Sequence, residues 1–393
     1  MAKYKNEMIG AASLLAGTAI GSGMISLPMV LAKVGIFGTC VVIFAFMFLI
    51  YFTAIIRAEI SINIKDDVSS LKQAGEKIGC RYIGMLGDFM LSLLAFSLMM
   101  AYMIGGGSII SSLCGFHETQ TYILVSLAFA IAFIFLFGSN KIIQINKYLF
   151  SFLIVTLFFL IVFLFYRTPI QIFPQSANNV SLNEWGTIIT IVFTSFGYHT
   201  VTHAIANICH NDRTTIKKAC LLGTAIPSII YVLWTVAILI IVANTDGEFY
   251  QMMLHGKATN VGELVKVLSL ATSSGNIQTI IWIVSFFAIF TSILGVGFAL
   301  WHNVRSEWKA SKWISAIIVA ILPAIVSIII PNFITVLSAA GIILSIVAII
   351  SPVLIDIKLA KNKDNYIPLI KNRFIVPLTF ILGIVIIILG ILQ

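Results

Sequence analysis

The chain has 393 residues, of which 60% are hydrophobic and only 10% charged, with a mean hydropathy of +1.06. Soluble domains carry about 25% charged residues, so this composition cannot clothe a water-facing surface. A net charge of +9 would point to nucleic acid in a soluble protein, but its distribution along this chain points elsewhere.

The apolar runs reach or pass the roughly 20 residues that a helix needs to span hydrocarbon. They predict an all-α membrane protein with eleven transmembrane helices. After the short basic start MAKYKNE, the first run is too long for the apolar core of a secretory signal and lacks a small-residue cleavage site. It is expected to be a retained span, 8–32, ending at Lys33-Val34-Gly35. Span two covers 36–62, and residues 66–80 are expected to form a short surface helix. Spans three (83–113) and four (120–138) flank Phe116-His117-Glu118. Span five (146–166) is followed by Pro174-Gln175-Ser176, span six (185–208) and span seven (219–243). Residues 247–271, with Glu248-Phe249-Tyr250 and an apolar-periodic stretch from Val261 to Leu270, form either a cap over the external face or an ordinary solvated loop. Spans eight (276–303) and nine (313–330) precede Pro331-Asn332, and spans ten (333–356) and eleven (374–391) complete the set. The whole chain, 1–393, reads as one transmembrane domain.

Of the 24 lysines and arginines, only Lys33, Arg167, Lys257 and Lys266 fall in one alternate set of loops, leaving 20 in the other. This positive-inside bias places the N-terminus in the cytoplasm and the C-terminus outside. The basic excess is therefore a topology signal, and no nucleic-acid partner is expected. Cys40, Cys80, Cys114, Cys209 and Cys220 are scattered, without the spacing of a disulfide framework or a zinc site.

Two spans are interrupted. GTAIGSGMISLP places Gly17, Gly21, Gly23 and Pro28 inside span one, and TSFGYHT, residues 194–200, interrupts span six. Five spans separate the two positions; an odd number reverses topology, so 8–166 and 185–356 read as inverted repeats, with 374–391 as an extra C-terminal helix. Corresponding interruptions in two halves point to a transporter site at the midplane. A glycine pair such as Gly17 and Gly21 in a lone span would signal close helix packing instead. Interrupted backbone survives in a membrane only where it lines a cavity. The N–H groups near Ser22 and Gly23 suit a carboxylate, and the carbonyls near Gly17 and Thr194 suit an ammonium or a cation. Among acidic residues only Glu59 and Asp88 fall inside spans, both toward the cytoplasmic ends, Asp88 about 9 Å in at 1.5 Å per residue. A site without mid-membrane charge fits a zwitterion such as an amino acid. His199 and His203 stand at i and i+4, two metal ligands without a third; His199 reads either as a proton relay or as an ordinary hydrogen-bonded histidine.

At these residues the chain resembles the hydroxy and aromatic amino acid permeases, above all the tyrosine and tryptophan permeases. GTAIGSGMISLP is similar to their G-T-x-I-G-A-G-M-L-x-x-P, and TSFGYHT to their T-S-F-G-F-H. GTAIPSIIYVLW in span seven and TSILGVGFAL in span eight extend the likeness over nearly the whole chain. The resemblance implies the five-plus-five inverted-repeat fold of the amino acid–polyamine–organocation superfamily, with helices 1 and 6 broken. It implies amino acid uptake across the cytoplasmic (inner) membrane, usually proton-driven, with no cofactor. It implies substrate contacts at Thr18, Ala19, Gly21, Ser22 and Gly23, at Thr194, Ser195, Phe196, Gly197 and Tyr198, and at Tyr102 in span three. Two departures bear on the coupling ion. Leu153 stands where many proton-coupled relatives carry a lysine. Ala288, Thr291 and Ser292 resemble the sodium site of sodium-coupled members, which would be completed by carbonyls of Gly17 and Ile20; His199 is the titratable candidate for protons. The expected partners are thus an amino acid and the bilayer, with H+ or Na+ as the coupling ion. A membrane-embedded enzyme would need a base partnered to Ser22, and nothing singles one out. A channel would need a filter or charged ring, and none is evident.

Overall fold

The computed structural model describes residues 5–64, 70–115, 120–136, 139–167, 171–202, 204–272, 275–307, 309–362, 366 and 368–393, and every regular element among them is helical. Seven uninterrupted stretches are long and apolar enough to cross a membrane, and 121–135 and 375–391 are apolar but shorter. Phe37, Phe129, Phe158, Ile317 and Ile381 are exposed on the outside of these helices. Such a surface suits lipid tails and not water. The protein is a multi-pass membrane protein.

The first expected span is two helices, α1 (Lys5–Ala19) and α2 (Gly23–Leu31), parted at Ile20–Ser22. The Ile20 N–H still bonds the Ala16 carbonyl, after which Met24 and Ile25 bond only three residues back, to Gly21 and Ser22. Glycine supplies neither helix propensity nor side-chain packing to bridge that gap. A 3-10 turn, Ala32–Val34, then reverses the chain into α3 (Gly35–Ile64) through Gly35 at φ +66°, a conformation that glycine adopts without strain.

The surface helix expected in 66–80 is α4 (Leu71–Ile78); residues 65–69 lie outside those described. Its first amides are capped by the Asp88 carboxylate, which accepts from Leu71 N at 3.0 Å and Lys72 N at 3.3 Å. Asp88 belongs to α5 (Arg81–Cys114), the long central helix. Helices in lipid gain no hydrophobic drive to associate, so close approach between small residues matters most. Gly105 faces Ile289 and Phe333, and Gly107 faces Leu124. Then come α6 (Gln120–Phe135) and α7 (Ser139–Arg167), with Leu153 fully buried. The sixth span opens on α8 (Leu182–Ser195) with a capping box between Ser181 and Glu184. It is interrupted at Phe196–Gly197, turns through Tyr198–Thr200 and resumes briefly as α9 (Ala204–Ile208). His203 lies outside the described residues, and with it the expected His199–His203 pairing.

Next is α10 (Arg213–Thr245), which lies along both halves of the first span. Residues 247–271 are α11 (Gly247–Leu254) and α12 (Val261–Leu270), packed caps rather than a solvated loop. Gly262 sits so close to α5 that a Cβ would stand 2.1 Å from the Ser108 carbonyl oxygen. The chain ends with α13 (Gly275–Glu307), α14 (Lys312–Ile329), α15 (Phe333–Ser345), a π-turn (Ile346–Ile350), α16 (Ser351–Asn362) and α17 (Ile375–Ile391). The π-turn precedes Pro352, which has no N–H to return to the preceding turn, and Ser351 bonds five residues back to Ile346.

Candidate functional site

The two interruptions meet. The Ser195 hydroxyl lies 3.1 Å from the Gly23 carbonyl, and a Cβ on Gly23 would stand 2.8 Å from Ser195 Cα. Between them lies Tyr231 of α10, a residue that the sequence reading did not select. Its hydroxyl reaches the Ala19 carbonyl at 2.7 Å and the Ser195 carbonyl at 2.6 Å. One phenolic proton serves two acceptors, each freed by a helix break. The Tyr231 ring is fully buried and meets Phe196 edge-on, centroids 5.1 Å apart. A polar aromatic residue mid-span in GTAIPSIIYVLW was the available sequence signal, since a buried tyrosine needs a partner for its hydroxyl.

Span eight joins the same cluster. The Ser22 N–H donates to the Ser292 hydroxyl at 2.9 Å, so an amide expected to face a carboxylate is occupied. Ser292 passes its own proton back to the Ala288 carbonyl at 2.9 Å, and Thr291 donates to Phe287 at 2.8 Å. Both hydroxyls therefore bond to their own helix and keep lone pairs facing outward from it. A Cβ on Gly21 would stand 2.4 Å from Ser292 Oγ, which explains glycine there as a point of close approach. The Ser22 hydroxyl is buried, and the Tyr102 phenol lies within reach of it.

Other candidates face elsewhere. The Tyr198 hydroxyl contacts the Ile50 carbonyl at 3.2 Å and Thr224 at 2.9 Å, fastening the sixth span to its neighbours. Thr194 donates to Thr190 and Leu337, on the side where Gly341 of α15 packs. Thr18 is exposed and bonds back to Leu14, and Gly17 abuts the Phe150 ring of α7. Ile20 is buried at the first break. The imidazole of His199 stacks on Tyr198, and its Nε2 lies 2.9 Å from Thr53 Oγ1. Thr53 already donates to Ile50, so Nε2 carries the proton here and the buried Nδ1 is left as an unpartnered acceptor. No hydrogen bond or ion pair joins either break to a charged side chain among the described residues. None of them forms a group of three or more His, Cys, Asp or Glu side chains fit for a metal ion. A separate cavity of about 260 Å³, lined by Tyr51, Phe52, Lys217 and Lys371, lies away from the breaks.

The assembled polar centre is built for recognition rather than bond-making: it contains hydroxyls, carbonyls and aromatic rings, and no nucleophile held by a base. The chain is 26% identical over 368 residues to Glutamine transporter 2 of Aliivibrio fischeri, covering 91% of each. It is 26% identical over 357 residues to Tyrosine-specific transport system 1 of Haemophilus influenzae, covering 88% of this chain and 87% of the relative. Among solved structures it is similar to MhsT in complex with L-phenylalanine, with a TM-score of 0.62 and coverage of 98% and 99%; at 14% identity this likeness bears on the fold alone. Residues 4–390 match the family model described as the tryptophan/tyrosine permease family. With that match spanning almost every residue around a site without catalytic machinery, the chain is a transporter and belongs to the tryptophan/tyrosine permease family.

Proposed function

We propose that the protein imports an aromatic amino acid, tyrosine or tryptophan, across the cytoplasmic membrane by alternating access around the paired breaks. The observation that carries this reading is the Tyr231 hydroxyl set between the Ala19 and Ser195 carbonyls, uncharged acceptors from both breaks at one point. An ammonium group would take these carbonyls, and the Gly23 amide at the start of α2 would face a carboxylate, joined by the Ser22 amide once Ser292 releases it. Ser195 and Phe196 touch the same point, through the Gly23 carbonyl and the Tyr231 ring. The aromatic choice rests on family membership and on the tyrosine-specific relative. The glutamine transporter among the relatives makes another neutral amino acid the rival substrate. The proposed architecture is eleven spans in one domain: inverted repeats over 8–166 and 185–356, helix 374–391 added, N-terminus inside and C-terminus outside.

Proteoliposome uptake of labelled tyrosine, competed by each common amino acid, tests the substrate. Tyrosine, tryptophan or phenylalanine should compete best; competition by glutamine or serine with none from the aromatic residues would overturn the assignment. Protons are the proposed coupling ion, with His199 Nδ1 as the buried acceptor beside the second break. An inward proton gradient without sodium should drive accumulation. If only a sodium gradient does so, and Thr291→Ala with Ser292→Ala abolishes it, the oxygens of span eight hold the ion instead.

A further inference from the structure

Near the end of α3 and midway along α16, Glu59 and Asp356 are fully buried. Among the described residues one cation reaches them: Arg373 donates through Nη1 to Glu59 at 2.5 Å and through Nη2 to Asp356 at 2.9 Å. Arg373 comes from the segment entering α17, and its guanidinium also lies over the Tyr366 ring, 5.1 Å from the centroid. The other charged groups nearby are turned away or set apart. On α3, Arg57 is buried with Nη1 unpartnered, within electrostatic range of Asp88 of α5. On α16, Lys358 donates to the Gly79 carbonyl. Lys217 of α10 and Lys371 line the adjoining cavity.

The hydrogen count does not close with both carboxylates ionised. The Tyr366 oxygen accepts from Arg373 Nη1 at 2.9 Å. It lies 2.6 Å from Asp356 Oδ1 and is also hydrogen-bonded to Glu59 Oε1. A phenol has one proton to give, so it can donate to one carboxylate only. The Tyr231 carbonyls face the same shortage and cannot be protonated, but a carboxylate can: one proton on a carboxyl group, pointed at the phenol oxygen, closes the count here. Charge leads to the same place: two buried carboxylates against one guanidinium leave a net negative charge in a dry setting, and one bound proton removes it.

We infer that Glu59, Asp356 and Tyr366 form a proton-binding site that holds a single shared proton and, while loaded, fastens Tyr366 to α3 and α16. The ligand is a proton from water, bound to a carboxylate oxygen and released to water, with no other reactant. Loss of the proton sets two anions against one phenol. The tie that weakens is then the one at Tyr366, because the Ile370 N–H at 3.2 Å and Arg373 donate more strongly to an ionised Glu59. This inference is independent of the transport reading, because its test needs no substrate and no gradient.

Infrared difference spectroscopy of the purified full-length protein, taken across alkaline titration, should show one protonated-carboxyl C=O band that disappears. Glu59→Gln and Asp356→Asn should each delete the band, since either leaves one carboxylate balanced by Arg373, whereas Asp88→Asn should keep it. The Tyr366 ring mode in the same spectra, identified by its loss in Tyr366→Phe, should shift as the band is lost in the unmodified protein and stay unchanged in Glu59→Gln. Two isosteric variants guard against one failing to fold. Absence of a titrating band, or its survival in both variants, would overturn the inference and leave a phenol proton split between two ionised carboxylates.

Discussion

At Gly23 a methyl group would stand 2.8 Å from Ser195 Cα, backbone that cannot give way without parting the two breaks. At Gly197 the only neighbour within reach among the described residues is the Thr194 carbonyl at 3.1 Å, and the residue has an ordinary φ of −57°. The two glycines therefore differ in what a side chain would meet. Gly23→Ala should cut uptake by about tenfold or more at normal membrane abundance, the scale of overpacking a filled contact. Gly197→Ala should stay within about twofold of the unmodified protein. Equal losses in a transport assay normalised to surface protein would refute this contrast. At Tyr231, removing the hydroxyl leaves both carbonyls without their donor. Tyr231→Phe should reduce uptake by about tenfold with little change in thermal stability of the whole bundle; a large fall in stability with unimpaired uptake would reassign this residue to packing.

Among elements, the C-terminal end of the first span is tied to the start of the sixth. Lys33 donates to Glu184 at 2.6 Å, and the same carboxylate accepts from the Ser181 N–H and hydroxyl. The Lys33 ammonium, with the Ser181 donors, holds the Glu184 carboxyl below the ordinary carboxylate range. A depressed value in the folded state gives stabilisation that is fully present above the unfolded value and is lost as pH falls through the folded one. Acidifying the medium on that face should therefore lower the melting temperature. Glu184→Gln should lower it at neutral pH and flatten the acid limb. The Glu184 side chain is 30% exposed, so screening limits the effect to about 1 kcal/mol or less. A steeper acid limb in the variant would contradict this assignment. The α12 cap behaves differently: Gly262→Ala forces backbone against the Ser108 carbonyl, and its penalty should be independent of pH.

For the whole molecule, the loop asymmetry in lysine and arginine gives a topology that labelling can check. Cysteines replacing Lys257 and Lys371, both exposed, should react from opposite sides of the membrane; reaction of both from one side would break the proposed eleven-span order. Much of the helical plan was legible in the sequence, because a bilayer demands long apolar runs and the breaks replace helix formers with glycine. The positions of both interruptions were legible for the same reason. The partners of the breaks were not. Ser292 meets Ser22 across 270 residues of chain, and Tyr231 meets Ala19 across 212. No local periodicity encodes such pairs. Tyr198 and Thr194 were legible as members of the broken segment, but which way each hydroxyl turns depends on Thr224, Ile50 and Leu337 from distant spans. The Glu59–Asp356–Arg373 cluster was invisible for a related reason: its members lie up to 314 residues apart, and a basic residue near a span end reads first as a topology signal.

The single proton of Tyr231 also sets a rule for what can replace it. At any instant the phenol satisfies one of its two carbonyls fully and leaves the other short of a donor. A free ammonium brings three N–H groups and can satisfy both. An N-acetylated amino acid or a peptide offers one amide N–H at that position, no more than the tyrosine already supplies, and gains nothing by displacing it. N-acetyl-tyrosine should therefore fail to compete with tyrosine, whereas the methyl ester, which keeps its ammonium, should retain part of its affinity. The arrangement tells monomers from oligomers by counting hydrogens at one end of the molecule, whatever the size of the ring at the other.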